Sequence, residues 1–539
     1  MTEKPEADVS SGALLSAAGA QALDGEAQAQ WALNPFALVE AVGRGCAGAF
    51  SRIYTTKKRE RLSIIVFTGK GNNAADALVM LRALILERYV QSSACSVFAV
   101  QIPETFSGGD KTPLSEAMLA VQKMGVPVTA WESTAATAAT AAAALAEADI
   151  VIDGIAGTGL TGPLRGAAQE MAELINAACR DKEQPLIVSI DLPSGNFDGW
   201  QPGMPLVKAH ATLAIEPRKL CLYTPKTRPY AGTIIPVEGI FPPALIDKYR
   251  EAELVQWKSA SIKIPPVSKT AYKYERGLVE IRAGSPGATG AALLAAQGAQ
   301  ATGAGLVRLI VDPSLYPIVA PGCSGIMAVP GGASDDDTEN DRFTPDAVLL
   351  GPGWGRGEDR MRLLESYLPL EQQGLPLILD ADAIVLAKNI VFNGNTLLTP
   401  HPGEFAAYTG LAQDEILNNP LPALRRCAAE KKVHILYKSH VLYAVSPDGR
   451  IGIIDGMNPA LAAGGSGDVL AGLCAAIAAR SAAARGSLDL YACACAAASL
   501  LIQAAKTKDI AGTFFDPGEL ATAAAVIAGA AWLPPYTLT

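Results

Sequence analysis

Short apolar runs that end in turn residues recur along the first half of the chain. They are LSIIVFTG at 62, ACSVFAVQIP at 94, ADIVIDGIAGTG at 148, PLIVSIDLPSG at 185 and HATLAIEP at 210. Stretches of helical composition separate these runs, including an Ala/Thr-rich segment at 134–148 that lacks Gly and Pro. Strands that alternate with helices are typical of βαβ units. The first half is therefore predicted to form a Rossmann-like three-layer α/β domain around a parallel sheet.

The second half has the same alternation with different turn sequences. Its apolar runs are GLVEIRAGSPG, GLVRLIVDP, DAVLLGPGWG, PLILDADAIV, NTLLTPHPGE and HILYKSHVLYAV, separated by Ala- and Leu-rich helical stretches. No period of 20 to 50 residues relates the two halves, which excludes a repeat array. The pattern predicts two unrelated α/β domains. A segment that is Pro-rich at both ends separates them, so we predict domains at 1–245 and 271–539 joined by a linker at 246–270.

Composition limits the partners. The chain has 539 residues, with 44 basic and 53 acidic side chains and a net charge of −9. Nucleic acid and anionic membrane surfaces require clustered positive charge, so neither is expected as the main partner. The apolar runs are shorter than a membrane span, and the polar, acidic start lacks the features of a secretory signal. The nine cysteines contain no CxxC pair, which favours reduced thiols and a cytoplasmic protein.

Polar residues follow three predicted strands of the first half. Asn72 and Asn73 lie in a Gly-rich turn between a strand and a helix, where backbone amides can bind an anion. Asp153 and Asp191 end two further strands. The C-terminal ends of parallel strands converge on one crevice, so these residues are candidates for a common site. Two structural alternatives remain: an asparagine that caps the helix, and an Asp191 that only caps the following turn.

These motifs resemble the NAD(P)HX epimerase domain of bifunctional NAD(P)H-hydrate repair enzymes. The matching segments are GKGNNAADA at 69, DGIAGTGLTG at 153 and DLPSG at 191, within a resemblance that covers most of 13–240. The family's GGDG reads AADA here. The segment AVQIPETFSG at 99 would put Glu104 where the family has a basic residue. A first domain that only binds substrate, or is purely structural, therefore remains an alternative.

The resemblance implies interconversion of the two epimers of a hydrated nicotinamide nucleotide. It implies that Asp191 acts as the acid/base. The substrate would be bound by Asn72, Asn73, Asp76, Gly157 and Asp191. A potassium ion would be held by Asn73, Asp153 and Ser194.

The second half contains NPALAAGGSGDVLAGL at 458, in which GGSGD opens an apolar helix. The amides of Ser466 and Gly467 at a helix N-terminus suit a transferring phosphoryl group. Asp468 in the first turn can act as a base toward a hydroxyl. Helix capping by Asp468 is the structural alternative. His401 lies between two prolines on a loop that is predicted to be rigid and exposed to a ligand.

This half resembles the ADP-dependent NAD(P)H-hydrate dehydratase domain, which has a ribokinase-like fold, from about 271 to the C-terminus. The motifs in order are KYERG, GSPGATGAALLAA, LLGPGWG, LDADAI, LTPHPGE and NPALAAGGSGDVLAG. The resemblance implies that the S-epimer of hydrated NADH or NADPH loses its hydroxyl after phosphorylation by ADP with Mg²⁺, giving AMP and phosphate. Asp468 would be the base. The substrate would contact Ala291, Gly353, His401 and Asp468, and ADP would contact Lys438, Ser439, Ser466 and Gly467.

Departures from the family pattern keep other functions open. The nucleotide loop reads KSHVL, with Ser439 and Leu442 in place of glycine and threonine, and Ala288 occupies a position where an aromatic residue is common. One alternative is a ribokinase-fold kinase of a small alcohol. Another is a nucleotide-binding protein with decayed sites. The family also implies a homo-oligomer.

Overall fold

The structure, a computed structural model, describes residues 12–54, 62–103, 111–178, 185–331, 344–484, 488–507 and 516–534. Glu104 lies outside them. The chain divides into two compact units, Met1–Glu253 and Leu254–Thr539. The division falls inside the segment 246–270 predicted as a linker. In the described part of the chain, every helix falls short of the length and apolar character that a membrane span requires.

The N-terminal part contains ten strands and seven helices among its described residues. The strands are β1 (Ala13–Leu15), β2 (Ile64–Thr68), β3 (Cys95–Ala99), β4 (Val128–Ala130), β5 (Ile150–Gly154), β6 (Leu186–Ile190), β7 (Ala211–Ile215), β8 (Arg218–Lys219), β9 (Thr233–Val237) and β10 (Ala252–Leu254). The helices are α1 (Ala17–Gln30), α2 (Pro35–Ile53), α3 (Asn72–Leu86), α4 (Pro113–Lys123), α5 (Ala135–Ala146), α6 (Ala167–Ala178) and α7 (Pro243–Tyr249).

Seven of these strands form one parallel sheet in the order β4-β3-β2-β5-β6-β7-β9. Both faces of the sheet are buried. Ile64 and Val66 belong to one apolar core and Ile65 and Phe67 to another, because successive side chains of a strand point to opposite faces. The strand order changes direction beside β2, and open sheets bind ligands at such a point. This unit is the predicted Rossmann-like three-layer domain.

The C-terminal part contains nine strands and eleven helices among its described residues. The strands are β11 (Leu278–Arg282), β12 (Leu306–Val311), β13 (Met327–Pro330), β14 (Ala347–Leu350), β15 (Leu377–Leu379), β16 (Thr396–Leu398), β17 (His434–Tyr437), β18 (Val441–Val445) and β19 (Ile451–Asp455). The helices are α8 (Trp257–Ser261), α9 (Thr289–Ala301), α10 (Tyr316–Val319), α11 (Glu358–Gln372), α12 (Asp382–Leu386), α13 (Pro402–Thr409), α14 (Gln413–Asn418), α15 (Leu421–Lys431), α16 (Ser466–Ala483), α17 (Leu490–Ala505) and α18 (Pro517–Trp532).

The second sheet is parallel from β13 through β12, β11, β14, β15 and β16 to β17, and β18 and β19 continue it antiparallel. Helix α16 lies within the core of this unit, with an unbroken buried run from Val469 to Ser481. It packs closely on α9. A Cβ on Gly298 would lie 2.3 Å from the carbonyl oxygen of Val469, so this contact requires glycine. The predicted C-terminal α/β domain is confirmed.

Candidate active sites

The first unit has a cavity of about 590 Å³ where the loops after β2, β5 and β6 meet α1 and α2. Five of the residues predicted to bind substrate line it. They are Asn72, Asn73, Asp76, Gly157 and Asp191. The convergence expected from the ends of neighbouring parallel strands therefore occurs in the structure.

The Gly-rich turn after β2 leads directly into α3. A Cβ on Gly69 would lie 1.9 Å from the carbonyl oxygen of Ile155, so no larger residue fits there. Gly71 is the N-cap of α3, and no side chain caps the helix. The alternative in which an asparagine caps this helix is therefore wrong. The first amides of α3 remain available at the edge of the cavity.

The alanines of AADA face the protein core. Ala74, Ala75 and Ala77 are fully buried in one of the apolar clusters of the sheet, and none is among the residues that line the cavity. Only Asp76 of this segment reaches the cavity. The methyl groups that distinguish AADA from GGDG therefore leave the cavity clear.

Asp191 forms a buried ion pair. Its Oδ1 lies 2.6 Å from Nζ of Lys219, and it also accepts a hydrogen bond from the amide of Ile215 at 3.2 Å. Asp191 has a φ of +63°, a strained conformation for a residue other than glycine that is common at functional sites. Its carboxylate is bound by Lys219, so it does more than cap a turn. The sequence prediction missed Lys219, although a basic residue after the strand HATLAIEP was a usable signal.

Asp153 and Ser194 contact each other beneath the cavity. The carboxylate of Asp153 accepts hydrogen bonds from the hydroxyl and amide of Ser194, the hydroxyl of Ser189 and the amide of Ile155. Burial raises the pKa of Asp153 despite these donors. Asn73 lies against Gly157, because a Cβ added to this glycine would be 3.2 Å from Asn73 Oδ1. The buried Nδ2 of Asn73 has no partner among the described residues.

The second unit has a cavity of about 700 Å³ beside the N-terminus of α16. Five predicted site residues line it: His401, Lys438, Ser439, Ser466 and Gly467. Ala291, Gly353 and Asp468 are not among the lining residues. Gly353 lies next to Ala291, because a Cβ on Gly353 would be 3.1 Å from the Cβ of Ala291.

The N-terminus of α16 is free of side-chain caps. Gly465, with φ +100°, is the N-cap, and no side chain caps the amides of the first turn, of which that of Ser466 donates to the Ala463 carbonyl at 3.4 Å. The alternative in which Asp468 caps the helix is therefore wrong. A Cβ on Gly467 would lie 3.4 Å from Nζ of Lys438, so the lysine ammonium is adjacent to this helix end.

Two carboxylates that the sequence prediction missed hold Lys438. Its Nζ lies 2.6 Å from Oδ1 of Asp380 and 4.0 Å from Oε2 of Glu404. The same Asp380 oxygen accepts a hydrogen bond from the Thr399 hydroxyl at 2.7 Å. Burial opposes the charged form of Lys438, but Asp380 and Glu404 raise its pKa. Asp380 and Glu404 lie in the LDADAI and LTPHPGE motifs, directly after two predicted strands. That position was the sequence signal that could have identified them as site residues.

The carboxyl of Asp468 is a stronger base than an ordinary aspartate. Burial above all, with the nearby carboxylates of Asp380 and Glu404, raises its pKa to about 6 against the opposing effect of Lys438. At neutral pH most of this carboxyl is ionised, and its basicity exceeds that of an exposed aspartate.

His401 begins α13 as its N-cap. Its Nδ1 accepts hydrogen bonds from the amides of Gly403 at 3.0 Å and Glu404 at 3.3 Å, and its Nε2 lies 3.2 Å from Glu404 Oε1. The ring is about half exposed and lines the cavity. Its orientation is thus fixed by α13.

The KSHVL loop contributes Lys438, Ser439, His440 and Leu442 to the lining of the cavity. The hydroxyl of Ser439 is bonded to the backbone of Val441, and Leu442 faces the cavity. Further apolar lining comes from Leu461, Leu470, Leu501 and Ile502. The cavity therefore combines apolar side chains with the polar groups at the start of α16 and on this loop.

Two α/β units, each with a cavity at the C-terminal ends of its strands, define a two-site enzyme. Residues 279–523 match the family model described as NAD(P)H-hydrate dehydratase, and residues 35–221 match that described as YjeF-related protein N-terminus. The bifunctional NAD(P)H-hydrate repair enzyme Nnr of Moorella thermoacetica is 30% identical over 86% of this chain and 88% of its own length. That of Gloeobacter violaceus is 32% identical over 82% of this chain and 84% of its own. The chain belongs to the family of bifunctional NAD(P)H-hydrate repair enzymes.

A solved structure also resembles the second unit. The ADP/ATP-dependent NAD(P)H-hydrate dehydratase of Bacillus subtilis, co-crystallised with ATP/Mg²⁺, is 24% identical, with a TM-score of 0.46. The match covers 51% of this chain and 99% of that one.

Proposed function

We propose that this protein repairs hydrated NADH and NADPH. The second unit dehydrates the S-epimer with ADP and releases AMP and phosphate, and the first unit interconverts the R- and S-epimers. The observation that carries the proposal is the carboxyl of Asp468. It lies in the first turn of α16, its pKa is raised by burial to about 6, and Lys438 is adjacent.

The dehydration step needs a base and an anion site. Asp468 takes the proton of the substrate hydroxyl as that oxygen attacks the terminal phosphorus of ADP. The amides of Ser466 and Gly467 and the ammonium of Lys438 stabilise the charge on the transferring phosphoryl group. Phosphate, a far better leaving group than hydroxide, then departs with the electron pair of its C–O bond, the neighbouring ring carbon gives up a proton to solvent, and the ring double bond forms.

The ligand contacts of this site remain proposals. Lys438, Ser439, Ser466 and Gly467 contact ADP, whose phosphates bring Mg²⁺. Ala291, Gly353 and His401 contact the hydrated nucleotide. The closeness of Gly353 to Ala291 and the exposed ring of His401 support this division.

In the first unit, Asn72, Asn73, Asp76, Gly157 and Asp191 bind the hydrate. Asp191 handles a proton as acid/base, and Lys219 fixes its carboxylate. The ion pair of 2.6 Å and the cavity that both residues line support this assignment.

Asn73, Asp153 and Ser194 would hold a potassium ion. All three offer oxygen, the ligand that hard cations prefer. The contact of Asp153 with Ser194, and that of Asn73 with Gly157 on the loop that follows Asp153, support a common location for the three residues. The ion would supply a fixed positive charge beside the hydrate.

Potassium should raise thermal stability. At a concentration ten times its dissociation constant it adds about 1.4 kcal/mol by mass action. The thermal midpoint of the full chain should therefore be higher in KCl than in NaCl or choline chloride of equal ionic strength. In Asp153→Asn the difference should vanish, and in the exposed Asp247→Asn control it should persist. Equal midpoints in all three salts for the wild type would refute the ion site.

The test of the whole proposal uses a mixed-epimer preparation of NADH hydrate with ADP and magnesium. Complete recovery of dihydronicotinamide absorbance with release of AMP, faster than spontaneous epimerisation allows, supports both activities. A stop when the S-epimer is exhausted supports the dehydratase alone. A small-alcohol kinase would instead leave a phosphorylated product. A binding protein would form no AMP, and Asp468→Asn would change nothing in it.

We also propose a cytoplasmic homo-oligomer. The eight cysteines of the described residues are free thiols, in keeping with a reducing compartment. Val526 on the Ala-rich α18 is 71% exposed and available for self-association. Light scattering of the purified chain measures the oligomeric state, and a monomeric mass would refute this part of the proposal.

A further inference from the structure

Asp76 is a buried carboxyl with one oxygen that has no hydrogen-bond partner. It lies in the first turns of α3, is 6% exposed and lines the cavity of the first unit. Its Oδ1 has no partner among the described residues. Buried polar groups are nearly always satisfied, and an ionised carboxylate without donors is especially costly. Such a carboxyl is expected to hold a proton and to present it to a ligand.

The neighbours of Asp76 favour the neutral form. Burial raises its pKa well above the usual value, the Asp191 carboxylate raises it further, and Lys219 acts in the opposite direction. The carboxyl of Asp24 on α1 also raises the pKa of Asp76. On α2, the thiol of Cys46 is close enough to Asp76 for that carboxyl to raise the pKa of the thiol. The Lys219 ammonium is bonded to Asp191 and not to the partnerless oxygen of Asp76. Two carboxyls that share one cavity thus have different surroundings, as in enzymes that divide acid and base roles between two carboxyls.

We propose that Asp76 is the catalytic acid of epimerisation in the first unit. This inference rests on the proposed epimerase function and divides its proton transfers between two residues. Asp76 donates its proton to the hydroxyl of the hydrate, while Asp191, held as a carboxylate by Lys219, accepts one.

The chemistry balances without a further reactant. The hydroxyl carbon is bonded to the ring nitrogen. Protonation by Asp76 lets the C–O bond break with its electron pair on oxygen, so water leaves and the nitrogen lone pair forms a C=N bond. Water then adds to either face of this flat, cationic carbon, and the proton it sheds goes to Asp191. Exchange with solvent returns Asp76 to the acid and Asp191 to the carboxylate. The positive charge of the intermediate also suits a cavity lined by Asp24, Asp191 and Glu216.

The test follows conversion of purified R-epimer to S-epimer by the full chain without ADP, with a protein-free blank. Asp76→Asn keeps the shape of the neutral acid but donates no acidic proton. The rate should fall about 100-fold or more, within the range for loss of a general acid. Binding of the hydrate should change only a few-fold, and the exposed Asp247→Asn should match the wild type. A rate in Asp76→Asn within a few-fold of the wild type would overturn the proposal.

The pH profile supplies a readout that a structural role would not change. The wild-type rate should fall as the pH rises past the pKa of Asp76, because the acid must be protonated. A wild-type rate that is constant at high pH would overturn the assignment, even if Asp76→Asn fails to fold.

Infrared spectroscopy reports the proton without turnover. The wild type at neutral pH should have a protonated-carboxyl band that Asp76→Asn lacks, and identical spectra would overturn the proposal. A wild type that has this band but does not epimerise the hydrate would refute the proposed function and with it the catalytic role, whereas normal epimerisation by Asp76→Asn would refute only the role of Asp76.

Discussion

The carboxyl of Asp468 should control the pH dependence of dehydration. The base must be ionised, so kcat/KM should be constant above pH of about 6 and fall about tenfold per pH unit below it, following the raised pKa. Asp468→Asn should lose turnover and still bind nucleotide. The exposed Asp414→Asn serves as the matched control. A wild-type profile without a change near pH 6 would contradict this role of Asp468.

Some of the site residues could be identified from the sequence, and others could not. Asp468, Asp191 and their motifs could be identified from order along the chain, because a strand or a turn precedes each of them. Lys219 and Asp380 could not be paired with their partners, because 28 and 58 residues separate the members of each ion pair. The sequence shows that a charged side chain is present, but it does not show which opposite charge folding brings within 3 Å of it.

At the scale of elements, the contact between α9 and α16 positions the proposed phosphoryl site. Gly298 and Gly472 allow the two helices to approach, since a Cβ on Gly472 would lie 2.0 Å from the carbonyl oxygen of Ala295. The first turn of α16 carries Asp468, so the helix contact fixes the proposed base relative to the cavity.

Gly298→Ala should destabilise the second unit. The added methyl meets the backbone of Val469 at 2.3 Å, and we expect a loss of about 1–3 kcal/mol in the free energy of unfolding, with reduced dehydration. Gly290→Ala on the same helix meets no atom within 4 Å and should change stability by about 1 kcal/mol or less. Denaturant unfolding of both variants measures the difference. Equal stability of the two would contradict the proposed role of the helix contact.

At the scale of the whole molecule, the two sites share no residue. One cavity is lined by residues between Ala20 and Phe241, and the other by residues between His401 and Ile502. Each unit also has its own core. Inactivation of one site should therefore leave the other reaction intact.

The mixed-epimer assay on the full chain measures this independence. Asp191→Asn should begin dehydration at the wild-type rate and stop when the S-epimer is exhausted. Asp468→Asn should form no AMP but equilibrate the R- and S-epimers. A reduced initial rate of dehydration in Asp191→Asn would contradict independent sites.

The sequence by itself determined the two α/β domains, their order and the loops that line the two cavities. Alternating apolar runs and turn residues are local signals, and the Ala/Thr-rich segment became α5 because Ala favours helix whatever surrounds it. Only the tertiary structure decided that the methyl groups of AADA point into the core and that the Oδ1 of Asp76 has no partner among the described residues. It also decided that Lys219 pairs with Asp191 and Lys438 with Asp380. These features depend on which atoms of distant segments come into contact, and burial in those contacts sets both hydrogen bonding and pKa.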